Sequence, residues 1–426
     1  MQVICRGKRS WRGLRGHAGK GHLRARLVLP AVSAAALCLT GLSPASAASA
    51  ALAGWHPEAA VLAWGDNSFA ELGDGSTAPS SVPVRVQLPA HTRVTAVAAG
   101  EGYGLALTSR GRVLAWGGNN DGELGDGDDD TTADSSTPVA VQLPARTRVT
   151  AVAAGESNGL ALTSRGHVLA WGYNYQGELG DGTTSADSST PVRVHLPAHT
   201  RITAVAAGAG YSLALTSSGR VLAWGNNYAG ALGDGSTADS STPVAVDLPH
   251  GIRVTAIAAG LFHGLALTSA GRLLAWGDNS SGELGSATVT GSLTPIPVDL
   301  PAGTRITAIA ANDEHNLALT SDGRVLAWGD NSFGELGDGS TGVYSFTPAP
   351  VDLPAGTRIT AISAGFSDCL ALTSDGRVLA WGNNIDGDLG DGSTASTSTP
   401  AGVDLPAGTR VTAISAGFFD SLALTG

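Results

Sequence analysis

An all-β chain closed into a seven-bladed propeller of four-stranded blades is predicted by three features of the sequence. These are a long tandem repeat, apolar runs of strand length, and a repeat unit split between the two ends of the chain. Ala-Trp-Gly occurs seven times, at Trp64, Trp116, Trp171, Trp224, Trp276, Trp328 and Trp381, with spacings of 52, 55, 53, 52, 52 and 53 residues. A period of this size means stacked copies of one supersecondary unit.

One unit, residues 305–353, shows the elements in order. Arg305 to Ala311, Leu317 to Ser321, Arg324 to Trp328 and Val351 to Leu353 are four short apolar runs with no helical periodicity between them. Asp322-Gly323 separates the second from the third, matched by Arg110-Gly111, Arg165-Gly166, Ser218-Gly219, Ala270-Gly271 and Asp375-Gly376. A glycine-ended pair predicts a tight hairpin with a primed turn, because such turns need positive φ. The strands are alanine-rich and apolar on both faces, as in sheets covered on both sides, with one tryptophan per unit to fill the wider gaps.

Four-stranded units either stack openly or close into a ring. The chain ends on two strands, Thr412 to Gly417 and Leu422 to Gly426, and its first unit supplies the missing two, Val61 to Gly65 and Val84 to Leu88. Pairing them removes both exposed edges, so ring closure by the terminal strands is expected.

Ahead of the repeats, eight basic residues (Arg6, Lys8, Arg9, Arg12, Arg15, Lys20, Arg24, Arg26) precede an apolar run from Leu27 to Leu42 and then Ala45-Ser46-Ala47. That order is that of a secretory signal peptide, and the run is shorter than the roughly 20 apolar residues a membrane span needs. The expected organisation is a signal peptide at 1–47, a linker at 48–60 and a propeller at 61–426, exported and free of the membrane after cleavage. Cleavage takes the formal charge from -11 to -19 and leaves 17 arginines, no lysine and Cys369 as the one cysteine. An anionic chain of this kind lacks the footprint of a nucleic-acid binder.

The motif Trp-Gly-x-Asn-x-x-Gly-x-Leu-Gly-x-Gly, together with Ala-Ala-Gly-x-x-His-x-Leu-Ala-Leu-Thr, resembles the regulator-of-chromosome-condensation repeat family. The resemblance covers the chain from about Val61 onward and implies a seven-bladed β-propeller. Departures are local: Ala70 stands where Gly122 does in the next unit, Gly285-Ser286-Ala287 replaces Gly-Asp-Gly, and Asn312 replaces a turn glycine. The family's histidine occurs at His263 and His315, and Tyr103, Asn158, Tyr211, Asp368 and Asp420 take its place elsewhere.

Antiparallel order puts the Ala-Ala-Gly turns and the loops after Trp-Gly on one face, and the hairpin and Leu-Pro turns on the other. By this sorting 29 of the 36 acids fall on the first face and 15 of the 17 arginines on the second. The acidic face also collects aromatics: Tyr103, Tyr211, Phe262, Phe366, Phe418 and Phe419 in the short turns, and Phe69, Tyr173, Tyr175, Tyr228, Phe333, Tyr344 and Phe346 in the long loops. Aromatics ringed by polar groups anchor protein interfaces, so Tyr103, Tyr211, Phe262, His263, His315, Phe366, Phe418 and Phe419 are the candidate binding residues. The partner expected is a protein with a basic patch, bound by a monomer.

Catalytic patterns are weak. Gly155 to Gly159 has the outline of a nucleophile elbow, but no helix is predicted after it, and the same holds for the dinucleotide-like run Gly337 to Gly342. Asp126, Asp128, Asp130 and Asp134 sit at positions 1, 3, 5 and 9 of a calcium loop, with Thr131 and Thr137 replacing its glycine and glutamate. No enzyme activity, cofactor or metal is therefore expected. The leading reading is an exported protein-binding propeller that inhibits or scaffolds an exported enzyme, as the propeller-type β-lactamase inhibitory protein of the resembled family implies. Two alternatives are nucleotide exchange on a small GTPase, implied by the founding member of the family, and cell-wall or carbohydrate binding through the aromatics.

Overall fold

A computed structural model describes residues 60–128, 133–184 and 186–426. The signal peptide expected at 1–47 and all but the last residue of the linker lie outside these residues. So does Asp130 of the calcium-like loop.

Among the described residues are 28 strands in seven antiparallel four-stranded sheets. The first contiguous blade runs from β3 (Val94–Ala99) through β4 (Tyr103–Thr108) and β5 (Val113–Gly117) to β6 (Ser135–Ala140). Five more follow: β7 to β10 (149–193), β11 to β14 (202–245), β15 to β18 (254–297), β19 to β22 (306–350) and β23 to β26 (359–402). The seventh is composite, joining β1 (Val61–Gly65) and β2 (Ser80–Arg85) to β27 (Val411–Ala416) and β28 (Asp420–Thr425) in the order β2-β1-β28-β27. Five residue pairs zip β1 to β28, from Val61 opposite Leu424 to Gly65 opposite Asp420. The ring is thus closed by the terminal strands, as the split repeat requires.

Two local expectations are corrected. The fourth strand of each blade lies a few residues earlier than the Val-Asp-Leu segment, at Ser345–Pro350 instead of Val351 to Leu353. These outer strands are polar and half-exposed, and they carry prolines such as Pro138 and Pro348. Proline is tolerated there because an outermost strand has no neighbour waiting for its N–H. The hairpin turn is also different. In the hairpin turn of blade one, between Thr108 and Arg112, only Gly111 has positive φ, the Gly111 N–H donates to Thr108 O at 2.8 Å and the Thr108 N–H to Arg112 O at 2.9 Å. That is a three-residue loop ending in a left-handed glycine, not a two-residue primed turn. A single 3-10 turn, Tyr228–Gly230, interrupts the otherwise helix-free chain among the described residues.

Each of the seven repeat tryptophans is fully buried between its own blade and the preceding one. The indole N–H donates to a backbone carbonyl of that preceding blade at 2.7–2.9 Å, all the way round: Trp116 to Glu71, Trp171 to Glu123, Trp224 to Glu178, Trp276 to Ala231, Trp328 to Glu283, Trp381 to Glu335 and Trp64 to Asp388. Glycines let the indole in. A Cβ at Gly73 would lie 2.6 Å from the Trp116 ring and one at Gly104 2.5 Å from its other side. The fourth motif position is equally uniform: the buried Asn67, Asn119, Asn174, Asn227, Asn279, Asn331 and Asn384 each accept the N–H five residues on, at 2.8–3.1 Å, folding the long loop over the tryptophan of the next blade.

Replacing Trp224 with phenylalanine leaves Glu178 O without its donor and is expected to cost about 1–3 kcal/mol. Trp224→Ala, which adds a cavity, should cost about 3–5 kcal/mol. Equilibrium denaturant unfolding measures both, and an unchanged stability of the Trp224→Phe variant would contradict the hydrogen-bonded role of the indole.

Candidate functional site

Chain direction sorts the connections as the sequence predicts. The turns joining first to second strands and the long loops joining third to fourth strands share the top of the ring, and the arginine-bearing hairpins lie below. Two of the lower turns pair internally, Arg324 with Asp322 and Arg377 with Asp375, both at 2.8 Å.

The structure divides the candidate binding residues into two groups. Tyr103, Tyr211, His263 and His315 are fully buried and do not reach the surface. They open the second strand of their blades, where the side chain points into the junction with the next blade. The Tyr103 hydroxyl donates to Asn158 O at 2.8 Å, the Tyr211 hydroxyl to His263 O, His263 Nε2 bonds Asn316 Oδ1 at 2.7 Å, and His315 Nε2 meets Cys369 Sγ at 3.2 Å. Their chemistry is therefore inter-blade stitching, and the expectation of surface contact is corrected for these four. Burial lowers the two imidazoles, His263 to about 4 and His315 to about 3, and keeps both neutral.

Phe262, Phe366 and Phe419 are partly exposed, and Phe418 is nearly buried. Three of them pack on one another: Phe366 stacks on Phe418 with ring centres 4.1 Å apart, and Phe419 meets Phe418 edge-on at 4.2 Å. Phe262 instead lies against Tyr228 at 4.8 Å. The aromatics that do reach solvent come from the long loops, with Phe69 44% exposed, Tyr175 58% and Tyr228 49%. The sequence analysis places them among the long-loop aromatics of this face but leaves them out of the candidate binding residues.

Six of the acids on this face are also not on its surface. Glu71, Glu123, Glu178, Glu283, Glu335 and Asp388 hold one motif position and are all buried. In the five glutamates Oε2 accepts the N–H two residues earlier at 2.8–2.9 Å, which explains why an acid sits there at all. The constant spacing of this acid, seven residues after six of the seven repeat tryptophans with Ala231 in the remaining unit, is the signal that could have marked it as structural.

A cleft of about 850 Å³ opens among the top connections of blades seven, one, two, three and four. Its walls carry Glu101, Asp121, Glu123, Glu156, Glu178 and Asp239, with Phe69, Tyr173, Tyr228 and Phe262, and no basic side chain. Glu101 and Glu156 line it from the neighbouring turns of blades one and two. Burial, then the neighbouring carboxylates, lifts Glu101 to about 7 and Glu156 to about 8; burial likewise lifts Glu123 to about 8 and Glu178 to about 7. No basic side chain lines the cleft to offset that crowding.

Ser157 of the elbow-like run sits in the turn before β8 (Asn158–Thr163), a strand where the elbow needs a helix. Gly337 to Gly342 likewise precedes a strand, Ser345–Pro350. Among the described residues, no group of three or more His, Cys, Asp or Glu side chains is placed to hold a metal ion.

Seven repeated blades with one tryptophan lock each, closed through the termini and carrying an acidic, aromatic top, define a tandem-repeat β-propeller. Residues 134–426 match the RCC1-like domain, and residues 58–107 and 94–123 match the regulator of chromosome condensation (RCC1) repeat; the chain belongs to this family. It is 31% identical over 341 residues to the ultraviolet-B receptor UVR8 of Arabidopsis thaliana, covering 80% of this chain and 76% of that protein. It is also 31% identical over 367 residues to the human E3 ubiquitin-protein ligase HERC2, where it spans 8% of the relative's length and 85% of its own. Among solved structures, yeast Prp20p, described with its binding to Gsp1p and histones, superposes with a TM-score of 0.75 at 26% identity, over 86% of this chain and 91% of that one. Human WBSCR16 gives 0.76 at 25% identity, over 86% and 98%.

Folding raises the pKa of these buried carboxyls, so between about pH 4.5 and 8 the native state keeps protons that the unfolded chain has released. Their stabilising effect is full below the unfolded value and is lost as pH rises toward 8. His263 and His315 act in the opposite sense, but only below their unfolded value of 6.5. The thermal midpoint is therefore expected to fall between about pH 6.5 and 8, and Glu123→Gln should flatten that fall. A midpoint that rises over this interval, followed by calorimetry, would contradict the assignment.

Proposed function

We propose that this chain is an exported, non-enzymatic protein-binding propeller whose top face seats a partner with a basic patch, inhibiting or scaffolding an exported enzyme. The observation that carries the reading is the placement of Phe69, Tyr175 and Tyr228, solvent-reaching rings of the long loops of blades seven, two and three, around and beside a cleft whose every charged wall residue is acidic. Exposed aromatics supply the desolvated anchors of an interface, and the surrounding carboxylates select and orient a basic partner. A rigid ring presents them with little ordering cost on binding.

Two further points support the reading. Within the family, Prp20p is a protein binder by the description of its structure. In this chain the turn residues Phe366, Phe418 and Phe419 pack on one another, whereas the loop residues Phe69, Tyr175 and Tyr228 keep the larger exposed surface. Export rests on the basic, apolar and small-residue order of residues 1–47.

Affinity capture from culture supernatant should retain a protein on the wild-type propeller. Phe69→Ala, Tyr175→Ala and Tyr228→Ala combined should lose it, while Phe418→Ala with Phe419→Ala should weaken it less. Each central aromatic removed is expected to cost about 2 kcal/mol or more of binding, roughly thirtyfold in Kd. Retention of the partner by the triple variant would sink the top-face reading, and recovery of a small GTPase would move it to nucleotide exchange.

A further inference from the structure

The acidic cleft is more than a charged patch, because part of its wall is built and incomplete. Glu178 is fully buried. Its Oε2 is fixed by the Gln176 N–H at 2.8 Å, and the Gln176 side chain is itself held by Asn226 Nδ2 at 2.8 Å. Its Oε1 has no donor. That oxygen lies beside Gly210, where an added Cβ would sit 3.4 Å away, so a side chain at this position would crowd it. In the same wall Asn158, also fully buried, has Oδ1 without a donor. Acceptors are thus held in place with nothing to accept, and buried acceptors are ordinarily satisfied.

What is missing is a donor that carries positive charge and no acceptor of its own. Glu101 and Glu156 come from the neighbouring turns of blades one and two and line the same cleft with Asp121 and no basic side chain, so an incoming cation offsets the repulsion among them. Tyr173 and Phe69 flank the carboxylates with ring faces and edges of partial exposure. An ammonium offers three donors at one point, whereas a guanidinium is a plane with five donors in a fork and stacks on aromatic rings. The acceptors here arrive from the connections of two adjacent blades, so a fork reaches them better than a point.

Resting on the protein-binding reading above, we propose that the cleft over Glu101, Glu156 and Glu178 is a guanidinium site that receives one arginine side chain of the partner protein. The volume of about 850 Å³ admits that side chain together with the loop that bears it.

Calorimetric titration of the propeller with N-acetyl-argininamide, and with its uncharged isostere N-acetyl-citrullinamide, tests the site without knowledge of the partner. The arginine probe should saturate with a Kd on the order of 1 mM, as expected for one isolated side chain, and the citrulline probe should not bind. Glu178→Gln, and separately Glu101→Gln with Glu156→Gln, should each weaken the arginine probe about tenfold or more, while Asp338→Asn on an exposed loop of the fifth blade leaves it unchanged. Should a glutamine variant fail to fold, Tyr173→Leu provides the second arm, with weakening again expected. Equal binding of both probes, or undiminished binding by the double glutamine variant, overturns the site. Tighter binding of spermidine than of the arginine probe overturns the protein-borne source. Partner capture with no probe binding overturns this site alone, and probe binding with no partner captured from the supernatant supports the site while removing the reading it rests on.

Discussion

The hydrogen bond from each tryptophan to the carbonyl of the preceding blade is the constraint on which the remaining structure depends. A propeller sheet has no helix to cover it, so its faces must be buried against other sheets, and the gap between twisted sheets widens outward from the axis. One indole per junction fills that gap, and its N–H cannot be buried without an acceptor. The acceptor is a loop carbonyl of the neighbouring blade, so the position of every long loop is tied to the next blade. The motif asparagine then shapes the loop, and the glycines that flank the indole are there because any Cβ would strike it.

This dependence explains what the top face can offer. Because the long loops are pinned at their roots by tryptophan, asparagine and the buried motif acid, their tips vary without disturbing the ring. Blades differ there in aromatic and acidic content, and the cleft falls where adjacent tips carry Phe69, Tyr173 and Tyr228 around paired carboxylates. The short turns follow another rule. Their second-strand residue faces the next blade, so tyrosine, histidine, asparagine or aspartate at that place serves the junction, whatever its use would be on a surface.

Much of the fold was legible because its signals are local and repeated. The seven tryptophans gave blade number, and the missing strands of the first unit gave the closure between β1 and β28. Strand four was displaced because its Ser/Thr-Pro residues look like a turn; only its place at the outer edge, with no further neighbour, makes proline acceptable there. The site was legible by face and not by residue. Tyr103 and Tyr175 are alike in a sequence, yet one closes a junction and the other stands in solvent, since a side chain's exposure depends on the blade beside it.

Taken alone, the sequence determined the repeat, the all-β character, the ring and the partition of acids from arginines between two faces, because each follows from period, turn chemistry and strand direction along the chain. The tertiary structure decided which acids are buried, which aromatics reach solvent, and that Glu101, Glu156 and Glu178 share one cleft. Those outcomes turn on how residues of different blades meet, with Glu101 some 55 and 77 positions from Glu156 and Glu178 in the chain, and no local pattern encodes the angle at which neighbouring blades meet.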